Sequence, residues 1–261
     1  MDADIESGNQ SPLYAIKKIK IQLEEQEAAF QREVQNHGLV RQSHFVLQLI
    51  DYEFSRRSAD IKEGLLVFPF YRRGTVQDMM NHAQATNEPI PFKTILQVFL
   101  DIGQGLLAFH RLQPPMAFRD LKPANVLISD NGQAVLMDLG SVAPANFTIQ
   151  SRKEALELQD ICAETCTAPY RPPEFFEVGS SATYDNRTDV WSWGCTLYAM
   201  AYGQSPFDGS ATSAMSGKII YPAMNPYKET GLAGMIAPLL KVDMKQRPFV
   251  GEVLAEIQPP K

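Results

Sequence analysis

The polarity pattern divides the chain into two parts. Residues 13–20, LYAIKKIK, run apolar and then alternate, which predicts a strand. Residues 22–39 are rich in Gln, Glu and Ala and predict a helix, with Phe30, Val34 and His37 or Gly38 on its inner face at 3.6-residue spacing. HFVLQLIDYEF (44–54) and GLLVFPFY (64–71) predict two strands joined by the polar turn RRSADIKE. After Arg72-Arg73-Gly74 the character changes. PFKTILQVFLDIGQGLLAFHRL (91–112) is apolar on nearly every face, as a helix at a domain centre should be, and TDVWSWGCTLYAMAYG (188–203) is similar. LAGMIAPLLKVD (232–243) and VGEVLAEI (250–257) predict two further helices. The expectation is an α+β chain with a small strand-rich part, 1–71, and a larger helical part, 72–261.

Composition narrows the classes. Apolar residues make up 44% and charged residues 21%, which excludes wholesale disorder. The net charge of −6 argues against nucleic acid as a partner, because neutralising phosphates takes a basic excess or patch. The 3 cysteines, Cys162, Cys166 and Cys195, are too few and odd in number for a disulfide framework. Cys162 and Cys166 lie four apart, but no further Cys or His pair completes a zinc site. There is no uninterrupted run of 18 apolar residues, so no transmembrane segment is expected. The opening MDADIESGNQSP is acidic and polar, unlike a signal or transit peptide, and Asp2 in place of glycine excludes N-myristoylation of the chain as written. A cytoplasmic monomer is the default expectation.

The densest chemistry lies in Phe118-Arg119-Asp120-Leu121-Lys122-Pro123-Ala124-Asn125, followed by Asp138-Leu139-Gly140. NVLISDNGQAVLMD, between them, reads as a strand, an Asn-Gly turn and a second strand. Such a hairpin brings Asn125 and Asp138 to the same end. Two oxygen donors converging there suit Mg²⁺, which favours hard oxygen ligands together with phosphate. Asp120 is then placed to orient an acceptor hydroxyl, and Lys122 to meet charge on a transferring phosphoryl group. Either aspartate alone would read as a solvated hairpin end; the constellation does not.

With these motifs in this order, the chain resembles the protein kinase family over almost its whole length. The resemblance implies a bilobal fold and transfer of the γ-phosphoryl of Mg²⁺-ATP to a protein. Ala15-Ile16-Lys17 resembles the strand motif whose lysine holds the α- and β-phosphates, and Glu33 is its implied ion-pair partner. FRDLKPAN resembles the catalytic loop, with Asp120 the base and Asn125 a Mg²⁺ ligand. Asp138-Leu139-Gly140 resembles the DFG motif, whose aspartate is the other Mg²⁺ ligand. Phe68 stands at the gatekeeper position, and the Pro69 carbonyl and Tyr71 N–H would meet the adenine edge. Pro172-Pro173-Glu174 resembles the APE motif, which implies a buried bridge from Glu174 to Arg247. Asp189 would brace the catalytic loop. Lys122 and Thr167 together imply a Ser/Thr acceptor, with Thr167 bonded to Asp120 and Lys122.

The segment from Asp138 to Glu174 spans 37 residues. Within it Ser151-Arg152-Lys153-Glu154 is a capping-box pattern opening EALELQDICAETC, in which Leu158, Ile161, Cys162 and Cys166 share a face. The expectation is an extra helix packed onto the body by that face, a feature of the Numb-associated kinases.

Two departures temper the resemblance. No Gly-x-Gly-x-x-Gly precedes Lys17; its 16 preceding residues hold a single glycine, Gly8. The expectation is a chain truncated inside the second strand, with an incomplete small lobe. It would also lack the lipid-accepting N-terminus that would anchor relatives at Golgi or plasma membrane. Second, Phe118 replaces the histidine of the HRD motif; it can fill the apolar stack under Leu139 but loses a hydrogen bond worth about 0.5–1.5 kcal/mol. Two functions stay open: a Ser/Thr protein kinase, or a kinase-like scaffold of weak or no activity because the glycine loop is absent.

Overall fold

The computed structural model describes residues 12–56 and 62–257. The tip of the expected polar turn and the acidic first 11 residues lie outside them. Four elements make the small part: β1 (Tyr14–Ile21), α1 (Glu24–Leu39), β2 (Asp51–Arg56) and β3 (Lys62–Pro69). The strands form one antiparallel sheet in the order β1-β3-β2, with Lys17 opposite Leu66. Ile21, Leu66 and Phe68 close on Phe30 of α1. A glycine is required at position 64, because a Cβ there would lie 2.5 Å from the Phe30 ring.

The helix 22–39 forms, but its inner face differs from the expected one. Phe30, Glu33, Asn36 and His37 are buried, Val34 is half-buried and Gly38 is exposed. Polar residues hold this face because each finds a partner inside, which offsets much of the desolvation penalty that periodicity assumes. The expected strand 44–54 is also shorter. Residues 44–50 instead run from a turn into an irregular connector that docks on the other part of the chain: Leu47 N–H donates to Leu136 O (2.8 Å) and Leu136 N–H to Phe45 O (2.9 Å).

The helical part contains α2 (Val76–Thr86), α3 (Phe92–His110), β4 (Met116–Ala117), β5 (Val126–Ile128), β6 (Ala134–Leu136), β7 (Ala143–Pro144), β8 (Phe147–Ile149), α4 (Arg152–Thr165), β9 (Ala182–Tyr184), α5 (Thr188–Tyr202), α6 (Ala211–Ser216), α7 (Leu232–Leu239) and α8 (Val250–Glu256). Its centre is the crossing of α3 and α5. There Phe99 stacks on Trp193 at 4.0 Å, and the Trp193 Nε1–H donates to Phe99 O at 3.0 Å. By length and composition α3 could cross a membrane; here 11 of its residues are buried in the core. The helix expected over 232–243 stops at Leu239, where Leu240 leaves the helical conformation (φ −101°, ψ 38°).

The helix expected after Ser151 is α4. Ser151 Oγ accepts from Glu154 N–H at 3.2 Å. It packs through Ala155, Leu158 and Cys162, with Cys166 just beyond its end, against Phe175, Val178 and Tyr184. Ile161, expected on that face, is 50% exposed; Ala155 takes its place because the inward stripe follows steps of three and four from 155.

Below α4, Arg247 and Glu174 form a paired bridge with both bonds at 2.7 Å, and Arg247 also donates to the carbonyls of Lys241, Val242 and Arg187. Arg247 is 2% exposed and its guanidinium lies over Trp191. Removing the carboxylate strands a buried cation. Glu174→Ala is therefore expected to cost about 3–5 kcal/mol, read as a lowered urea midpoint; a midpoint unchanged from wild type would show that the bridge carries no stability.

Candidate active site

Three chain segments bring charge to one cleft. Lys17 comes from the middle of β1, Glu33 from the inner face of α1, and Asp138 from the end of β6. Lys17 Nζ lies 2.8 Å from Glu33 Oε1 and 2.8 Å from Asp138 Oδ1. Burial pulls the Lys17 ammonium towards losing its proton, but Glu33 and Asp138 outweigh it and hold the pKa above its ordinary value. Glu33 moves upward too: burial raises it, Lys17 opposes, and the Asp138 charge adds to the rise. The two directions agree physically, since two anions outweigh burial at the lysine while burial outweighs the single cation at the glutamate.

The hairpin β5–β6 sets the floor. Val126 pairs with Leu136 and Ile128 with Ala134, so the connecting loop is five residues, 129–133, wider than a two-residue Asn-Gly turn. Gly132 within it has φ +87°. As expected, Asn125 and Asp138 stand at the same end, joined by Met137 N–H donating to Asn125 O at 2.9 Å.

Asp120 sits beside them, 9% exposed and gripped on both oxygens. Oδ1 accepts from the Thr167 hydroxyl (2.6 Å) and Thr167 N–H (2.8 Å); Oδ2 accepts from Lys122 Nζ (2.9 Å) and Asn125 Nδ2 (3.0 Å). Lys122 also donates to Thr167 Oγ1 at 2.6 Å. With its nitrogen committed to Asp120, Asn125 offers its amide oxygen, which with the Asp138 carboxylate makes a hard-oxygen pair.

The loop carrying Asp120 is held from beneath. Asp189, fully buried in α5, accepts from Phe118 N–H (2.7 Å), Arg119 N–H (2.8 Å) and His110 Nε2–H (2.8 Å). Arg119 has φ +69°, a conformation a non-glycine residue keeps only where its surroundings hold it. Its guanidinium lies 5.2 Å from the Phe147 ring and 5.9 Å from the Phe175 ring, and donates to Pro144 O at 2.9 Å. Phe118 is wholly buried, 5.9 Å from the Phe109 ring, in the same core as Leu139.

Above the charged cluster is a cavity of about 440 Å³ lined chiefly by apolar groups, including Ala15, Ile16, Leu47, Phe68, Leu127 and Met137. Lys17, Glu33 and Asp138 lie on its wall, as do Pro69, Phe70 and Tyr71 of the link between the two parts. A slot that is apolar along its length and charged at one end fits a nucleotide.

Of the residues singled out from the motifs, Lys17, Glu33, Phe68, Pro69, Tyr71 and Asp138 line this cavity, Asp120, Lys122, Asn125 and Thr167 form one hydrogen-bonded group, Asp189 holds their loop, and Glu174 and Arg247 pair with each other. Two were missed: Asn36, whose Nδ2 donates to Leu139 O (3.0 Å) and Val142 O (3.3 Å), and His37, whose Nδ1 donates to Leu47 O (3.0 Å). The spacing Glu33, Asn36, His37 on one helical face was the available signal. Among the described residues, no cluster of three or more His, Cys, Asp or Glu could hold a metal ion, and the three cysteines are free thiols.

Residues 5–256 match the protein kinase domain, and the chain belongs to the protein kinase family. It is 35% identical over 265 residues to serine/threonine-protein kinase 16 of Mus musculus and 36% identical to that of Homo sapiens, each match covering 98% of this chain and 85% of the relative. It is also 29% identical over 307 residues to serine/threonine-protein kinase ENV7 of Saccharomyces cerevisiae, covering 97% and 84%. The family implies ATP and a divalent metal, and a protein as acceptor.

Burial pushes the His37 imidazole from 6.5 down to about 4, with the Lys17 charge adding to the fall and the Leu47 carbonyl opposing it. Between those values the unfolded chain takes up a proton that the folded chain refuses. Stability is thus complete above pH 6.5 and drains as pH falls towards 4. The loss is about 3 kcal/mol at 1.36 kcal/mol per unit. Urea melts across this range should show that slope in wild type and its loss in His37→Gln; identical slopes would mean the ring is not the proton acceptor.

Proposed function

We propose that this chain is an ATP- and Mg²⁺-dependent serine/threonine protein kinase. The observation that carries the reading is the convergence of Lys17, Glu33, Asp138 and the Asp120–Asn125 loop from four places in the sequence beside a nucleotide-sized cavity. The aromatic and aliphatic walls hold the base, with the Pro69 carbonyl and Tyr71 N–H as its edge partners. Lys17, fixed by Glu33, grips the α- and β-phosphates. Asn125 and Asp138 would hold Mg²⁺, which supplies charge neutralisation between the phosphates.

Asp120 is the orienting group for the acceptor. Its four donors lock the carboxylate in one rotamer, so a Ser or Thr hydroxyl reaching it is aligned rather than merely bound. Lys122 offsets charge developing on the transferred phosphoryl group. The link between Thr167, Lys122 and Asp120 supports a Ser/Thr acceptor, in line with the names of the relatives. The capped α4 inside the segment from Asp138 to Glu174 supports placing the chain among the Numb-associated kinases. We also propose that residues 1–71 and 72–261 act as two lobes with the cleft between them.

Asp120→Asn keeps the shape and removes the base, and Asp138→Ala removes a cation ligand. Each is expected to abolish transfer of labelled phosphate from ATP to a generic Ser/Thr protein acceptor, while circular dichroism keeps the wild-type signature and melting stays cooperative, at a lower midpoint for Asp120→Asn because four donors lose a buried carboxylate. Activity persisting in either variant at a tenth of wild type or more would overturn the role assignments.

A further inference from the structure

Helix α1 carries Glu33, and Glu33 fixes Lys17. Its first turn is acidic, with Glu24 and Glu25 exposed and Glu27 paired to Lys62 of β3, and Leu23 at its N-cap is 60% exposed. Phe30 anchors it to the small sheet. The next inward residues after Glu33 are Asn36, 5% exposed, and His37, 4% exposed.

Both donate to main-chain oxygens of other segments. Asn36 reaches Leu139 and Val142, which follow Asp138; His37 reaches Leu47, whose own N–H is bonded to Leu136 just before it. Helix α1 is therefore gripped from both sides of the strand end that delivers Asp138. Asp138 has φ +64°, an unfavourable conformation for a residue with a side chain, and Asn36 holds its immediate neighbour.

We infer that Asn36 and His37 form a two-point clamp that sets the position of Glu33 and thereby assembles the Lys17–Glu33–Asp138 group before nucleotide arrives. Asn36 is a positioning residue acting through Glu33, and the inference rests on the kinase reading. An amide is the group this site needs. It supplies two N–H donors to two carbonyl oxygens that would otherwise be buried with one bond fewer. Leucine would fill a similar volume and leave both oxygens without that donor.

The kinetic consequence is specific. If α1 swings away, Lys17 loses Glu33 and the nucleotide site is incomplete. Nucleotide binds only the assembled form, so its apparent affinity falls by the assembled fraction, and saturating nucleotide restores assembly. Loosening the clamp should raise the KM for ATP and spare kcat. A residue that merely stabilised the fold would lower the amount of active protein and leave KM alone.

The test is steady-state phosphotransfer by Asn36→Leu, with hydrogen exchange of the nucleotide-free protein measured in parallel. The expected result is a KM for ATP raised about tenfold, the equivalent of 1.4 kcal/mol, with kcat retained. Amides of α1 and of residues 139–142 should exchange faster together, while those of α5 do not change. Asn36→Asp, which keeps the shape and loses the donors, should behave alike and serves if the leucine variant does not fold. Wild-type KM in the folded variants, or unchanged exchange in α1, overturns the clamp. A wild-type protein that transfers no phosphate sinks the kinase reading instead, and the exchange data then judge the clamp alone.

Discussion

Two carboxylates, Glu33 and Asp138, share a half-buried cleft, and only the Lys17 ammonium between them makes that tolerable. Burial is the main cause of the upward displacement of Glu33, Lys17 opposes it, and the Asp138 charge adds a smaller push in the same direction. The lysine lies 2.8 Å from each carboxylate. The rest of the small part follows from this need. β1 must run so that Lys17 points inward opposite Leu66, α1 must present Glu33, and the hairpin must end at Asp138. A nucleotide's phosphates are a natural addition to such a site, because a lysine already paired to a fixed carboxylate keeps its charge and its direction.

The same economy governs the catalytic loop. Asp189 has no exposure, yet its carboxylate is satisfied by two main-chain N–H groups and one imidazole N–H. A buried anion with three donors is a rigid post. It holds Arg119 in a left-handed conformation and so fixes where Asp120 begins. Asp120 in turn is oriented by four donors, one of them supplied by Asn125 and two by Thr167 of the segment beyond α4. The helix α4 reaches this network through its end: Cys166 lies in the apolar cluster, and the next residue bonds Asp120. Packing of a helix on Phe175 and Tyr184 is thereby converted into the position of a carboxylate.

Motifs close in sequence were legible because their geometry is local. The hairpin between Asn125 and Asp138 could be read from two short apolar runs and a turn, and it delivered both residues to one end. The Ser151-x-x-Glu154 pattern announced α4. What misled was polarity inside. Periodicity places apolar residues inward, so it chose Phe30 and Val34 on α1 and left His37 or Gly38 open, whereas Glu33 and Asn36 face in because their partners arrive from residues 17 and 139, far along the chain. Residues 44–50 look like a strand by composition; their hydrogen-bond partners lie across at Leu136, which no local pattern reveals. Helix α2 was overlooked because its sequence is mostly polar. The signal was present in Thr75 and Asp78, whose side chains each accept from the other's N–H, at 3.1 and 2.8 Å.

The most direct test of the account is the thermal stability of this chain with and without Mg²⁺-ATP. A ligand that binds only the folded state adds RT ln(1 + [L]/Kd), about 2.7 kcal/mol at a hundredfold excess over Kd. The assembled cleft predicts a clear upward shift in melting that requires both Mg²⁺ and nucleotide and is lost in Asp138→Ala. No shift at millimolar ATP would contradict it, and would leave the chain a kinase-shaped scaffold whose charged cluster serves no nucleotide.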